Sequence, residues 1–284
     1  MSKFFLDLRD FDSLIKGALA EDIQSGDITC KALNIQKSVE GSIYSKQEGI
    51  LCGIEIVKAV FHALDPHLNI HLLKKDGEKF RTGEKILWIE GQASSILTAE
   101  RTALNFLGHL SGIATLTHAF VQEISHTQCK ILDTRKTTPL FRSLEKYAVT
   151  CGGGMNHRAG LWDMILIKEN HLRAVGNIDI ALKRAITWKK ENKSQVKIEI
   201  EVTNLEEFFI ASAFPIDIIM LDHFSIEDMK QAVKKCPNSI KLEASGNITY
   251  KTVRIIAETG VHFISSGALT HSAPSVDFSL LFDE

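Results

Sequence analysis

The sequence predicts an α/β protein in two parts, an N-terminal α+β piece followed by a barrel of parallel strands. Three observations predict it. Beyond residue 112, six short apolar runs (KILDT, MILIK, KIEIEV, DIIMLD, IKLEAS and HFISSG) alternate with helical segments, the rhythm of βα units. Before it, GSIYSKQEGILCG and EKILWIEG alternate polar and apolar residues as antiparallel strands do. The length of 284 residues gives room for both parts and a substantial core.

The elements follow in order. Phe11, Leu14, Ile15, Ala18 and Leu19 share one face of an opening amphipathic helix. From Ser95 to Ile124, apolar residues recur at helical spacing but are interrupted near Gly108 and Ser111-Gly112, which predicts two helices or one kinked helix. A boundary near 112 gives an N-terminal domain over 1–112, a barrel over 113–270, and a segment over 271–284 that returns to the first domain. Six strands make a small or atypical barrel.

Composition narrows the function. A formal net charge of −2, with 44% apolar and 24% charged residues, is that of an ordinary globular chain and excludes a general polyanion binder, so no nucleic-acid partner is expected. Five scattered cysteines without a CxxC pair indicate neither a disulfide framework nor a zinc ribbon. The opening MSKFFLDLRDF lacks the apolar core of a signal peptide, and no apolar run approaches the ~18 residues of a membrane span. A cytoplasmic protein with no membrane partner is the expectation.

The chemistry gathers where the predicted strands end, the rim that carries active sites in βα barrels. Between Asp133 and Arg173 seven Lys or Arg face four acids, so a local positive excess sits in a mildly acidic chain. Most charge runs are solvated surface, a reading that suits Arg142, Lys146 and Arg173. It suits Arg135, Lys136 and Lys168 less, because each closes a β-rich run. Gly152–Gly154 fit neither GxxxxGK[ST] nor GxGxxG, which leaves a tight turn or a close backbone approach to a ligand. EASGNIT and ISSGALTHS end successive strands in small residues, as phosphate loops of barrels do. Glu201 and Asp222 end neighbouring strands and suit either ribose hydroxyls and hydrated Mg²⁺ or salt bridges at the barrel mouth. Asp222-His223 belongs to no HExxH or GxSxG pattern, and unevenly spaced His62, His67 and His71 receive no role.

Taken together and in order, EDIQSGDIT, LTAERTALNFLGHLSGIAT, DTRKTTP, CGGGMNHRAGLWDMILIKENH, EIEVTNLEE, IIMLDHF, EASGNIT and ISSGALTHS resemble the quinolinate phosphoribosyltransferase family, from about Leu19 to Ser279. The resemblance implies an N-terminal open-faced α/β sandwich, a C-terminal incomplete α/β (TIM-like) barrel and a homodimer with sites closed by the partner's N-terminal domain. It implies phosphoribosyl transfer to quinolinate with Mg²⁺, releasing pyrophosphate and CO2 and giving nicotinate mononucleotide for NAD biosynthesis. Residue by residue, Arg101, Thr134, Arg135, His157, Arg158 and Lys168 fall on quinolinate-binding and catalytic positions. Lys136, Glu201 and Asp222 fall on phosphoribosyl pyrophosphate positions, the two carboxylates also on magnesium positions. Ser245, Gly246, Asn247, Gly267 and His271 fall on the 5′-phosphate loops. Three departures stand out: Leu140-Phe141 where Gly-Leu is common, His223 where Asn is usual, and Ser266 where Val is usual.

The residues leave rivals open. A related pyrophosphorylase acting on a mono-acid would release no CO2. An aldolase-type lyase would use Lys168 as a Schiff base. A ligand-sensing barrel without catalysis accounts poorly for so many matched positions.

Overall fold

A computed structural model of the chain describes residues 7–283. They form two compact units. One takes in the chain through His118, then Thr138–Gly153 and everything from Ser272 onward; the other takes in Ala119–Thr137 and Gly154–His271.

The first unit opens with helix α1 (Asp12–Ile23), which buries Ile15 and Leu19, and α2 (Ile28–Ala32), started by Asp27 accepting the Cys30 N–H at 2.9 Å. Strands β1 (Ser38–Ser45), β2 (Gly49–Ile50), β3 (Asn69–Leu72), β4 (Lys79–Phe80) and β5 (Lys85–Gln92) follow, with α3 (Ile54–Leu64) after β2. The antiparallel sheet runs C-terminal strand (Phe278–Phe282), β1, β5, β3. Ile43, Leu87 and Ile89 of this sheet and Val57, Val60 and Phe61 of α3 are fully buried, each contributing roughly 1.5–3 kcal/mol.

Helix α4 (Ala93–Glu123) is one continuous element of 31 residues, so of the two readings, two helices or one kinked helix, the first is overturned. Its glycines serve packing. A Cβ on Gly108 would stand 2.6 Å from the Val276 carbonyl oxygen, and one on Gly112 would collide with that of Pro274, so the bare helix face lets the C-terminal segment pass. Helix α5 (Arg142–Cys151) completes this unit. Gly152 is pressed against the Ala114 carbonyl of α4, and Gly153 takes φ +90. Of the two readings of the triple glycine, tight turn and close packing account for these two residues, and none of the three lines the cavity described below.

In the second unit, β6 (Lys130–Leu132), β7 (Met164–Ile167), β8 (Lys197–Val202), β9 (Ile218–Asp222), β10 (Lys241–Ser245) and β11 (Phe263–Ser265) are the six expected strands. All pair in parallel, in the order β6-β11-β10-β9-β8-β7. Their apolar runs bury both faces, as parallel strands in βα folds do. β6 and β7 are the two edges and do not pair, so the barrel is not closed. Met155 makes an isolated parallel bridge to Leu132 along the β6 edge. The crossovers carry α6 (Glu169–Val175), α7 (Ile178–Glu191), α8 (Leu205–Ser212), α9 (Ile226–Lys235) and α10 (Val253–Ala257), and α11 (Ala268–His271) follows β11. Asn177, Asn204 and Ser225 cap α7, α8 and α9 through side-chain oxygens. Among the described residues no helix is long and apolar enough to cross a membrane.

Candidate active site

The carboxyl ends of the parallel strands open into a cavity of about 810 Å³. Its wall includes Thr134, Arg135, Lys136, His157, Arg158 and Lys168; Glu201, Asp222 and His223; and Ser245, Gly246, Asn247, Gly267 and His271. Thirteen of the fourteen residues singled out from the sequence therefore share one cavity. Arg101 is the exception: it lies exposed on α4 in the first unit, beside a smaller concavity with Asn105, Ser275 and Asp277.

Each wall has a cause in the chain. β6 is followed by Asp133, fully buried, whose carboxylate accepts the Asn156 Nδ2–H at 2.5 Å and the His157 N–H at 2.9 Å. That carboxylate, with the Met155 N–H donating to the Ile131 carbonyl at 2.8 Å, pins residues 155–157 to the β6 end. Arg135 and Arg158 thereby line the same cavity. Burial pushes the Arg158 guanidinium below its ordinary range, and the positive charge of Arg135 pushes it further. Arg135 Nε is buried with no hydrogen-bond partner among the described residues. Two crowded guanidiniums, one with an orphaned donor, are arranged for a planar anion rather than for each other.

Lys168, at the end of β7, forms an ion pair with Glu201 at the end of β8. Asp222, at the end of β9, contacts His223 Nδ1 at 2.8 Å. Barrel-mouth pairing, the plainer reading of these carboxylates, is thus present, and both still line the cavity. The opposite wall is built from loops. Gly246 and Asn247 are consecutive left-handed residues at φ +96 and +49, a conformation cheap for Gly and tolerated by Asn. His223 is left-handed too, at φ +57, and its ring covers Gly246 so closely that a Cβ there would stand 2.7 Å from it. Gly267 leaves room for Lys136: an added Cβ would come within 2.8 Å of Lys136 Cδ and 3.1 Å of His271 Nε2. The Ser266 hydroxyl donates to the Ile248 carbonyl at 3.3 Å, tying the loop after β11 to the loop after β10. Leu140 occupies φ +67, a left-handed conformation that favours Gly, the residue the family resemblance leads one to expect there.

Beneath this mouth lies a layer that attention to strand ends overlooks. Glu199 and Glu243 are fully buried, and His157 Nε2 stands 3.1 Å and 3.5 Å from their Oε2 atoms. Burial, then the charge of Glu199, pushes the Glu243 carboxyl up to about 8. Glu199 was legible in KIEIEV: in a period-two strand it shares the inward face with Glu201.

Clustered Lys and Arg at the strand ends of an open parallel βα sheet, facing small-residue loops, define an enzyme of the α/β-barrel class that handles several anions at once. The chain belongs to the quinolinate phosphoribosyl transferase family: residues 27–111 match the model of its N-terminal domain and residues 113–281 that of its C-terminal domain. A probable nicotinate-nucleotide pyrophosphorylase (carboxylating) of Bacillus subtilis is 43% identical over 94% of this chain and 91% of its own length. The chloroplastic nicotinate-nucleotide pyrophosphorylase (carboxylating) of Arabidopsis thaliana is 40% identical over 96% of this chain and 83% of its own. The solved nicotinate-nucleotide pyrophosphorylase of Francisella tularensis superposes with a TM-score of 0.95 at 43% identity, covering 100% of this chain and 99% of that one.

Proposed function

We propose that the chain transfers the phosphoribosyl group of phosphoribosyl pyrophosphate to the ring nitrogen of quinolinate, with loss of CO2, giving nicotinate mononucleotide and pyrophosphate in NAD biosynthesis. The observation that carries this reading is the Arg135–Arg158 pair, a buried orphaned donor beside a guanidinium already weakened by its like-charged neighbour. A dicarboxylate supplies Arg135 Nε with an acceptor and offsets the like charge that Arg135 sets beside Arg158.

Thr134, Arg135, His157, Arg158 and Lys168 form the quinolinate subsite, completed by Arg101 from a second copy of the chain in a homodimer. Lys136, Glu201 and Asp222 take the activated sugar. Ser245, Gly246, Asn247, Gly267 and His271 take its 5′-phosphate through backbone N–H groups and the His271 ring. Glu201 and Asp222 offer the hard oxygen donors that Mg²⁺ accepts alongside waters and substrate phosphates, so the donor set fits that ion. When bound there, Mg²⁺ supplies charge neutralisation of the leaving pyrophosphate.

The residues do the rest by position and charge. The arginine pair fixes the ring so that its nitrogen faces the ribosyl carbon. As pyrophosphate leaves, that carbon gains oxocarbenium character, and the Glu201 and Asp222 carboxylates stabilise it. Ribosylation makes the ring nitrogen cationic; as the bond to CO2 breaks, that charge stabilises the electron pair left on the neighbouring ring carbon, which then takes a proton from water to become the C–H of nicotinate mononucleotide. Lys168 stands by the departing carboxylate, held by Glu201. No redox cofactor enters this balance. Lysines that form Schiff bases are desolvated or crowded by other cations, whereas Lys168 is ion-paired and 43% exposed, which disfavours the aldolase reading.

Incubation with quinolinate, phosphoribosyl pyrophosphate and Mg²⁺ tests the proposal. Nicotinate mononucleotide and CO2 in equal amounts are expected. Turnover of nicotinate without CO2 would replace it with the mono-acid reading.

A further inference from the structure

The buried layer under the cavity has a geometry the proposed chemistry does not use. His157 is a short link between floor and wall. Its Nδ1 accepts the Arg158 backbone N–H at 2.7 Å, so that nitrogen carries no proton, and its Nε2 faces Glu199 and Glu243. Its own N–H is held by Asp133. The ring therefore turns its nitrogens toward the loop backbone and the floor, and its orientation is decided by what stands below. Glu199 comes from β8 and Glu243 from β10, two strands separated by β9, and both side chains are fully buried. The groups facing this pair are His157, the Ser265 hydroxyl of β11, Lys168 at the end of β7 and Arg158, whose charge Glu199 favours. Two carboxylates placed in a barrel interior are costly, and a purely structural floor is more stable when apolar.

We propose that Glu199 and Glu243 are positioning residues for the quinolinate subsite: they hold the His157 ring at Nε2, and Nδ1 in turn fixes the Arg158 backbone so that its guanidinium meets Arg135 across the dicarboxylate site. Glu199 is the principal holder, being the nearer at 3.1 Å. The inference rests on the quinolinate reading of the arginine pair, and its test separates the two.

Steady-state kinetics of the full-length protein are measured for wild type, Glu199→Leu and Glu199→Gln, with each substrate varied in turn. Losing the carboxylate packed 3.1 Å from His157 Nε2 raises the quinolinate KM of Glu199→Leu about tenfold or more, while the phosphoribosyl pyrophosphate KM stays within about twofold. Glu199→Gln keeps the shape of the side chain and a polar oxygen beside Nε2, and recovers the quinolinate KM to within about threefold of wild type. Imidazole nitrogen NMR of the free wild-type protein reads the link without activity, and it shows His157 protonated at Nε2 with Nδ1 bare. In Glu199→Gln that tautomer persists.

Equal effects of Glu199→Leu on both KM values, or a Gln variant as impaired as Leu, would overturn the proposal. So would a bare Nε2 in wild type. Should Glu199→Leu not fold, the Gln variant and the tautomer decide. A wild type inactive on quinolinate but showing the Nε2–H tautomer would refute the substrate and leave the His157 link standing.

Discussion

Arg135→Ala separates what the site needs from what the fold needs. In the free protein the side chain is a burden: an unsatisfied buried donor costs roughly 1–3 kcal/mol, and Arg158 beside it adds repulsion. Removing it relieves both, so the melting temperature of the free variant equals or exceeds that of wild type. Binding moves the other way. Loss of one bidentate guanidinium–carboxylate contact costs about 3 kcal/mol, which is roughly a hundredfold in quinolinate affinity. At a concentration about a hundred times the wild-type Kd, quinolinate stabilises wild type by ~2.7 kcal/mol, a rise of about 5–10 °C for a protein of this size. The same concentration only half-saturates the variant and gives ~0.4 kcal/mol, about 1 °C. Differential scanning fluorimetry with and without quinolinate reads both numbers. A free variant that melts well below wild type, or one that keeps the full quinolinate shift, would refute the reasoning.

Three further outcomes follow from the geometry. Gly267→Ala puts a Cβ 2.8 Å from Lys136 Cδ, so the phosphoribosyl pyrophosphate KM rises about tenfold while the quinolinate KM holds; kinetics with each substrate varied check this. Leu140→Gly relieves a left-handed leucine at φ +67, a gain of about 1 kcal/mol partly offset by the freedom of glycine in the unfolded chain, and the melting temperature rises by about 1–3 °C. Glu243 holds its proton more tightly folded, to about 8, than at its ordinary 4.5. The stabilisation from that proton is complete below about pH 4.5 and is lost as pH rises through about 8. Relative to Glu243→Gln, wild type therefore loses roughly 1 kcal/mol per pH unit across that window, and parallel melting-temperature profiles of the two proteins would contradict it.

Much of this was readable before any coordinates. Buried parallel strands are short continuous apolar runs, so all six stood out, and the residues that close them proved to line one cavity. Helix α4 was harder, because Gly108 and Gly112 look like breaks until the backbone of residues 274–276 is laid against them. Nothing local announces a partner more than 150 residues away. Glu199 lies in the middle of β8 rather than at its end, and only the period-two face it shares with Glu201 marks it in the sequence. The turn of the His157 ring toward the floor depends on β8 and β10 together, and no single stretch of sequence encodes it. The left-handed backbone at Leu140 and His223 is likewise set by the loop rather than by the residue it holds.

The most direct measurement is a crystal structure of the protein with quinolinate bound. It should show one carboxylate accepting from Arg135, Nε included, and the other within reach of Arg158, with the ring nitrogen turned toward Asp222 and the loops at Ser245 and Gly267. Quinolinate lodged elsewhere, or bound without contact to Arg135 and Arg158, would contradict the account.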